Sequence, residues 1–389
     1  MSKIHGGNIF QFAHEQRIEP YEVIDFSANI NPLGPSQRGL SSLEAQLRYI
    51  SHYPDATNDD VLNAIADTYG MNKHQIVVGN GAAELLYAIC RLPGYTGAFV
   101  PAPGFSEYKE ALEASRIAVR DIYYRPREDD NGKPYFEVPY LALETFAAEL
   151  KGQDGRIIVF LGNPNNPDGT LLDKNHIRTV ASMLKDANSL LVIDESFIDF
   201  VGNDTLQDNE YSMRSLINEF DNIIVVHSFT KFYAVPGLRI GAAFSNPQII
   251  DQLNKFIPTW SVNTLAQAYT ESALNDVEYV KRTKQVLCEE QHYMYNALDA
   301  IAGITVYPPS ANFILFHIEQ EEVTADTINE ALKKHNIIVR NCDSYMGLSN
   351  QWVRVAIKDH DNNVRLVDTL TEILKVKVDH EDIIYCAPR

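Results

Sequence analysis

The stretch SFTKFYAVPGLRIGAAF at 228–244 gathers Ser228, Thr230, Lys231 and Arg239 around a Pro236-Gly237 turn, directly after the apolar run NIIVVHS. A hydroxyl pair and an arginine can hold an anion, and one lysine can supply a nucleophilic amine. Three other segments end in polar residues. VVGNGAAE puts Gly81, Ala82 and Ala83 at a helix start, where free backbone N–H groups and the helix dipole favour a phosphate. LGNPNNPDG sets Asn163, Asn165 and Asn166 on a proline-stiffened turn. LLVIDESF ends a buried strand with Asp194 and Glu195, and a carboxylate there needs a partner because an unpaired buried charge is costly. Each segment alone reads as a turn or a strand end, and a lone lysine reads as a solvated one.

Together they supply the four things that pyridoxal 5′-phosphate requires: an amine for its aldehyde, an acid to keep its pyridine nitrogen protonated, a donor to its phenolic oxygen, and a cradle for its phosphate. Lys231 is the amine, Asp194 the acid and Asn166 the donor. Ser228, Arg239 and the backbone at Gly81, Ala82 and Ala83 form the cradle. With Asp194 as its partner the protonated ring is an electron sink, so Lys231 and Asp194 are the candidate catalytic pair.

The elements that must position these groups alternate from 75 to 245: QIVVGN before AAELLYAICRL, GAFVPAP before FSEYKEALEAS, RIIVFLGNP before KNHIRTVASMLKDA, then SLLVIDES and NIIVVHS. The strands are continuous apolar runs, so both faces are buried. Such repetition makes an α/β fold with a mainly parallel sheet, whose chemistry sits at the carboxyl ends of the strands. Beyond about 265 the pattern changes to long helical segments (264–275, 277–300), then GITVYPPSANFILFHI, a helix near 324–335, IIVRN, WVRVAIK and a last helix at 361–375. That is a smaller α+β unit. The expected division is an N-terminal arm (1–45), a large cofactor-binding domain (46–265) and a small C-terminal domain (266–389). A polar turn is expected at 126–136 and a surface loop at 202–210.

The 389 residues carry a formal net charge of −19. That balance argues against nucleic acid and anionic membrane as partners, but leaves open a small phosphorylated substrate, which reads only the local field. The cysteines at 90, 288, 342 and 386 have neither paired nor metal-ligand spacing and read as reduced thiols of a cytoplasmic protein, with no metal expected. MSKIHGGNIF lacks the apolar core of a signal peptide, and the longest apolar runs are too short to span a bilayer.

The motifs NPNNPDG, DESF, SFTKFYAVPGLRIG and HYPD resemble the fold-type I aminotransferase superfamily, in the branch of the histidinol-phosphate aminotransferases. HGGNI followed by IDFSANINPLGP is more particular and resembles the threonine-phosphate decarboxylases of cobalamin biosynthesis. The resemblance runs to about residue 375. It implies that Phe105 stacks on the pyridine ring and that Tyr53 reaches the cofactor phosphate of a neighbouring subunit, hence a homodimer with shared sites. It further implies that Arg354 and Arg340 meet the substrate's anionic groups, and that His5 and Asn31 close the pocket from the arm. The chain departs from the pattern at Phe197, where many transaminases have a tyrosine, at Asp168 in place of threonine, and at Lys358 in place of arginine. Ala82 and Ala83 are too small for a side-chain phosphate contact.

The implied reaction is decarboxylation of L-threonine O-3-phosphate, with the substrate anchored by its phosphate through Arg340, Arg354 and His5. Serine phosphate differs by one methyl, worth only about 1–3 kcal/mol of discrimination. Histidinol-phosphate transamination uses the same fold and cofactor. A non-catalytic regulator that kept the fold would have no need of Lys231, Asp194 and Arg239 together.

Overall fold

The computed structural model describes residues 6–149, 155–202 and 205–374. The main sheet has seven strands, β1 (Ile76–Gly79), β2 (Tyr95–Ala102), β3 (Ala118–Tyr123), β4 (Arg156–Gly162), β5 (Leu190–Asp194), β6 (Ile223–Ser228) and β7 (Gly241–Phe244). Their order is β1-β7-β6-β5-β4-β2-β3. Only β7 opposes its neighbours; the other pairings are parallel. Every residue of β5 and β6 is buried, as continuous apolar runs require. Their side chains alternate between two apolar layers. Val192 and Val226 face the layer holding Leu85 and Leu86 of helix α1 (Ala82–Cys90), while Ile193 and Val225 face the other. Helix α2 (Glu107–Ala114) follows β2.

The polar 126–136 region is a hairpin, Arg125–Glu128 against Pro134–Glu137. Helix α3 (Val277–Asp299) leads to an antiparallel sheet of β8 (Ile304–Val306), β9 (Phe313–Ile318), β10 (Arg340–Asn341) and β11 (Trp352–Ala356), ordered β8-β9-β11-β10. Helices α4 (Ala325–Leu332) and α5 (His360–Leu374) complete this part. The helix expected to reach 335 ends at Leu332 and tightens into a 3-10 turn, because Asn336 takes a left-handed conformation with φ 58°. IIVRN is two short strands rather than one. Ile337–Ile338 pairs in parallel with Ile24–Asp25 of the N-terminal segment, and Arg340–Asn341 pairs with β11. That split stitches the N-terminal segment to the small sheet. Among the described residues no helix is long and apolar enough to cross a membrane.

Asn31 has a different task from the one expected. It is buried and absent from the wall of the large cavity at the strand ends, and the two hydrogens of its Nδ2 are shared among Phe232 O (2.7 Å), Thr283 Oγ1 (2.8 Å) and Tyr279 Oη (3.0 Å). Its main-chain N–H donates to Lys231 O (3.1 Å). An amide has the polarity to satisfy several buried acceptors at once, and that outcompetes exposure to a ligand. Asn31 therefore fastens the N-terminal segment to α3 and to the turn bearing Lys231. Asn31→Ala should lower stability by about 1–3 kcal/mol by leaving these acceptors unpaired. Urea unfolding measures this, and an unchanged midpoint would contradict the role.

Candidate active site

A cavity of about 800 Å³ opens at the carboxyl ends of the parallel strands. Its walls come from three places: loops of the main sheet (Ala82, Phe105, Asn166, Asp194, Ser228, Lys231, Arg239), the N-terminal segment (Asp25, Ser27, Asn29) and the small sheet with its exit (Arg340, Arg354, Lys358).

The anion cradle is built from glycines and one guanidinium. Gly81 starts α1 at φ 80°, and no side chain caps the helix. A Cβ on Gly81 would run into the Arg239 guanidinium, and one on Gly241 would meet Ala82 N at 2.6 Å. Without those atoms the arginine and the open helix terminus share one spot, which suits a phosphate. Ala82 and Ala83 offer backbone only. Ser228 Oγ lies 2.8 Å from Thr230 Oγ1.

Lys231 Nζ donates to Thr230 Oγ1 (3.0 Å) and Ser228 Oγ (3.4 Å), and no ion pair to a carboxylate is made among the described residues. Burial pushes its amine down to about 8; the nearby Asp194 charge opposes this and the Arg239 charge adds to it. A neutral amine is therefore available near neutral pH, as attack on an aldehyde needs.

Strand alternation separates the two carboxylates of the DES sequence. Glu195 turns into a buried cluster, accepting from Met213 N (2.6 Å), Ser212 Oγ (2.7 Å) and Asn163 Nδ2 (3.2 Å), with Arg214 Nη1 at 3.7 Å. Asp194 faces the cavity. Its Oδ1 accepts from Ser196 N (2.9 Å) and Oγ (2.6 Å), and its Oδ2 accepts from Tyr108 Oη (2.9 Å). Those three bonds leave one of roughly four acceptor positions of the carboxylate for a ring nitrogen. Tyr108 was not foreseen. It is buried three residues after Phe105, which lines the cavity, and the two rings meet edge-on at 5.7 Å where the chain enters α2; the i, i+3 spacing in GFSEY is the signal.

The asparagine turn sorts in the same way. Asn163 and Asn165 are spent on main-chain carbonyls of Tyr211 and Pro103. Asp168 accepts from Thr170 N (2.8 Å) and from Asn165, which makes it a turn residue; burial raises its carboxyl. Asn166 faces the cavity with Oδ1 held by Arg354 Nη1 and Tyr345 Oη, so its Nδ2 remains to donate. Phe197 packs edge-on against Phe313 and brings no donor.

Arg340 and Arg354 are both buried. Arg340 Nη2 donates to Ser344 Oγ (2.7 Å). Arg354 Nη2 donates to Ser27 O (2.7 Å) and its Nη1 also reaches Tyr345 Oη (3.2 Å); its Nε is unpaired among the described residues. Asn29, rather than Asn31, is the asparagine of the FSANINP motif at the cavity. It is 5% exposed, and both its Nδ2 and Oδ1 lack a partner among the described residues. His5 lies outside the described residues. Tyr53 is 77% exposed, stacked on Trp260 at 4.3 Å, and is absent from the cavity wall of its own chain.

The donor set and the glycine cradle fit pyridoxal phosphate. The chain belongs to the aminotransferase class I and II family, whose model matches residues 21–370, and it has the fold-type I architecture with pyridoxal 5′-phosphate as cofactor. It is 34% identical to the threonine-phosphate decarboxylase of Salmonella typhimurium over 95% of this chain and 96% of that one. It is 32% identical to the adenosylcobalamin biosynthesis bifunctional protein CobDQ of Leptospira interrogans, covering 95% of this chain but 41% of that longer protein. Among solved structures, the histidinol-phosphate aminotransferase of Clostridium acetobutylicum superposes with a TM-score of 0.79 at 26% identity, over 90% of this chain and 98% of that one.

The amine of Lys231 sets a pH dependence. Its folded value near 8 means that covalent capture of the cofactor by the apoprotein should speed up about fivefold from pH 7 to pH 8 and level off above pH 9. An ordinary lysine amine would keep gaining about tenfold per pH unit up to pH 10. Stopped-flow absorbance distinguishes the two, and a rate still climbing at pH 10 would contradict the depressed amine.

Proposed function

We propose that this protein decarboxylates L-threonine O-3-phosphate to (R)-1-amino-2-propanol O-2-phosphate and CO₂, the step that makes the aminopropanol linker of cobalamin. The observation that carries the reading is that Arg340, Arg354 and the Asn29 amide, unpartnered among the described residues, line the same cavity as the cofactor cradle. Such a lining suits a substrate with a phosphate as well as a carboxylate. The two curated relatives named above, a threonine-phosphate decarboxylase and a cobalamin biosynthesis protein, support it.

Pyridoxal phosphate, when bound, supplies an aldehyde for the substrate amine and a ring that accepts the electron pair released at the α-carbon. The rest falls to the chain. Lys231 would hold the cofactor and, once displaced, would be the group to return a proton to the α-carbon. Asp194, braced by Tyr108 and Ser196, would keep the proton on the ring nitrogen. Asn166 Nδ2 would donate to the phenolic oxygen, Phe105 would cover the ring, and Ser228, Arg239 and the start of α1 would hold the phosphate. Proton loss and CO₂ loss compete, and the winner is set by which substituent of the α-carbon is left unheld. Arg340 gripping the substrate's phosphate, with help from Asn29 at the same cavity, would leave the carboxylate free to depart; the role expected of His5 belongs to this proposal. Arg354 has both Nη atoms committed to Asn166, Tyr345 and Ser27, so it offers a carboxylate less than a free guanidinium would.

The division at 45/46 and 265/266, a cytoplasmic location and a homodimer belong to this proposal. Under this reading Tyr53, exposed and absent from the cavity wall of its own chain, would complete the site of a second copy. Sedimentation should give a dimer; a fully active monomer would contradict shared sites.

The second reading is histidinol-phosphate transamination, favoured by the 26% identity and TM-score of 0.79 with an aminotransferase of that name. Incubating holoenzyme separately with L-threonine phosphate, L-serine phosphate, and histidinol phosphate plus 2-oxoglutarate separates them. CO₂ from threonine phosphate without glutamate is expected. Glutamate formed from histidinol phosphate, with no CO₂ from either phosphoamino acid, would overturn the proposal.

A further inference from the structure

Lys358 lies two residues past the end of β11 and lines the cavity beside Asp25. Its main chain is fixed. The N–H donates to Asn363 Oδ1 (2.9 Å), and the carbonyl accepts from Asn363 Nδ2 (2.8 Å), which also donates to Glu290 (2.8 Å). The side chain is not fixed: its amine makes no hydrogen bond or ion pair among the described residues. Burial pushes that amine down, and the charges of Asp25 and Asp359 only partly oppose it. Asp25, an acid that lines the same cavity, has its Oδ1 committed to Ser27 N (2.8 Å) and Oγ (2.6 Å). A half-buried cation on a rigid base with no partner is costly unless a ligand brings the matching charge.

The fold gathers the neighbouring cations around the same segment. Ala356 N donates to Phe26 O (2.8 Å), Arg354 donates to Ser27 O, and the pairing of Asp25 with Ile338 brings Arg340 alongside two residues later. Once Lys231, Arg239 and Asp194 are assigned to the cofactor, three cations remain on this wall: Arg340, Arg354 and Lys358. A phosphate carries about −1.5 to −2 charges at pH 7 and a carboxylate one more. Resting on the reading of the substrate as an amino acid phosphate, we propose that Lys358 is a substrate-binding residue that shares the phosphate with Arg340.

The test uses holoenzyme and inorganic phosphate as a competitive inhibitor, with L-threonine phosphate and free L-threonine as substrates. Lys358→Met keeps the aliphatic stem and removes the charge. It should raise the Ki of phosphate and the KM for threonine phosphate about tenfold, the usual loss for a charge-assisted bond. Its kcat and its response to free threonine should change less than about threefold. Lys358→Arg should restore both constants. Melting temperature and cofactor absorbance report folding, and Lys358→Gln replaces the Met variant if that one melts early. An unchanged Ki, equal losses for free threonine, or no inhibition of the parent by phosphate would overturn the role. If the parent releases no CO₂ from threonine phosphate, the assigned reaction fails, while the phosphate Ki in the aminotransfer assay still decides Lys358.

Discussion

The site depends on what the Arg354 guanidinium holds together. From the small sheet it reaches Asn166 on a loop of the main sheet, Tyr345 beyond β10, and the Ser27 carbonyl in the N-terminal segment. Three stretches separated by well over a hundred residues meet at one planar group. Charge-assisted bonds from a rigid fork position better than neutral ones, because direction and distance are set together. The same bonds orient the Asn166 amide and leave its Nδ2 available at the cavity, as the proposed donor to the cofactor's phenolic oxygen requires. Loss of Arg354 would therefore disturb the cofactor's seat as well as the substrate's.

The second constraint is electrostatic. A chain of net charge −19 places five cations around one cavity, Lys231, Arg239, Arg340, Arg354 and Lys358. Their mutual repulsion is moderated in different ways. Lys231 is pushed towards neutrality by burial. Arg354 is spread over three oxygen acceptors, and Arg340 is bound to Ser344 and lies over the Tyr345 ring at 5.3 Å. What remains is an anion-seeking surface inside an acidic protein. Under the proposed function, the local field at such a surface would recruit a phosphorylated substrate that the global charge would repel.

That the residues proposed for the cofactor line one cavity was legible in the sequence, because few physical rules were needed. Buried strands end at one edge, alternation sends Asp194 and Glu195 to opposite faces, and a glycine before a helix leaves a bare N-terminus. Lys231, Asp194, Asn166, Ser228 and Arg239 meet for those reasons. The substrate half was less legible, because its residues are assigned by distant partners. Asn29 and Asn31 stand two apart in FSANINP, yet the chain turns between them, with Ile30 N bonded to Ala28 O. Asn31 is claimed by Tyr279 and Thr283, some 250 positions away, which no local pattern announces. Tyr108 was missed likewise: its spacing to Phe105 is visible, but its bond to Asp194 spans 86 residues.

The central claim is that the substrate is held by its phosphate so that its carboxylate is free to leave. The most direct measurement is the ratio of kcat/KM for CO₂ release from L-threonine phosphate to that from free L-threonine on the same holoenzyme. Two or more charge-assisted bonds to the phosphate predict a preference of about a thousandfold or greater. Comparable release of CO₂ from the two would contradict the account.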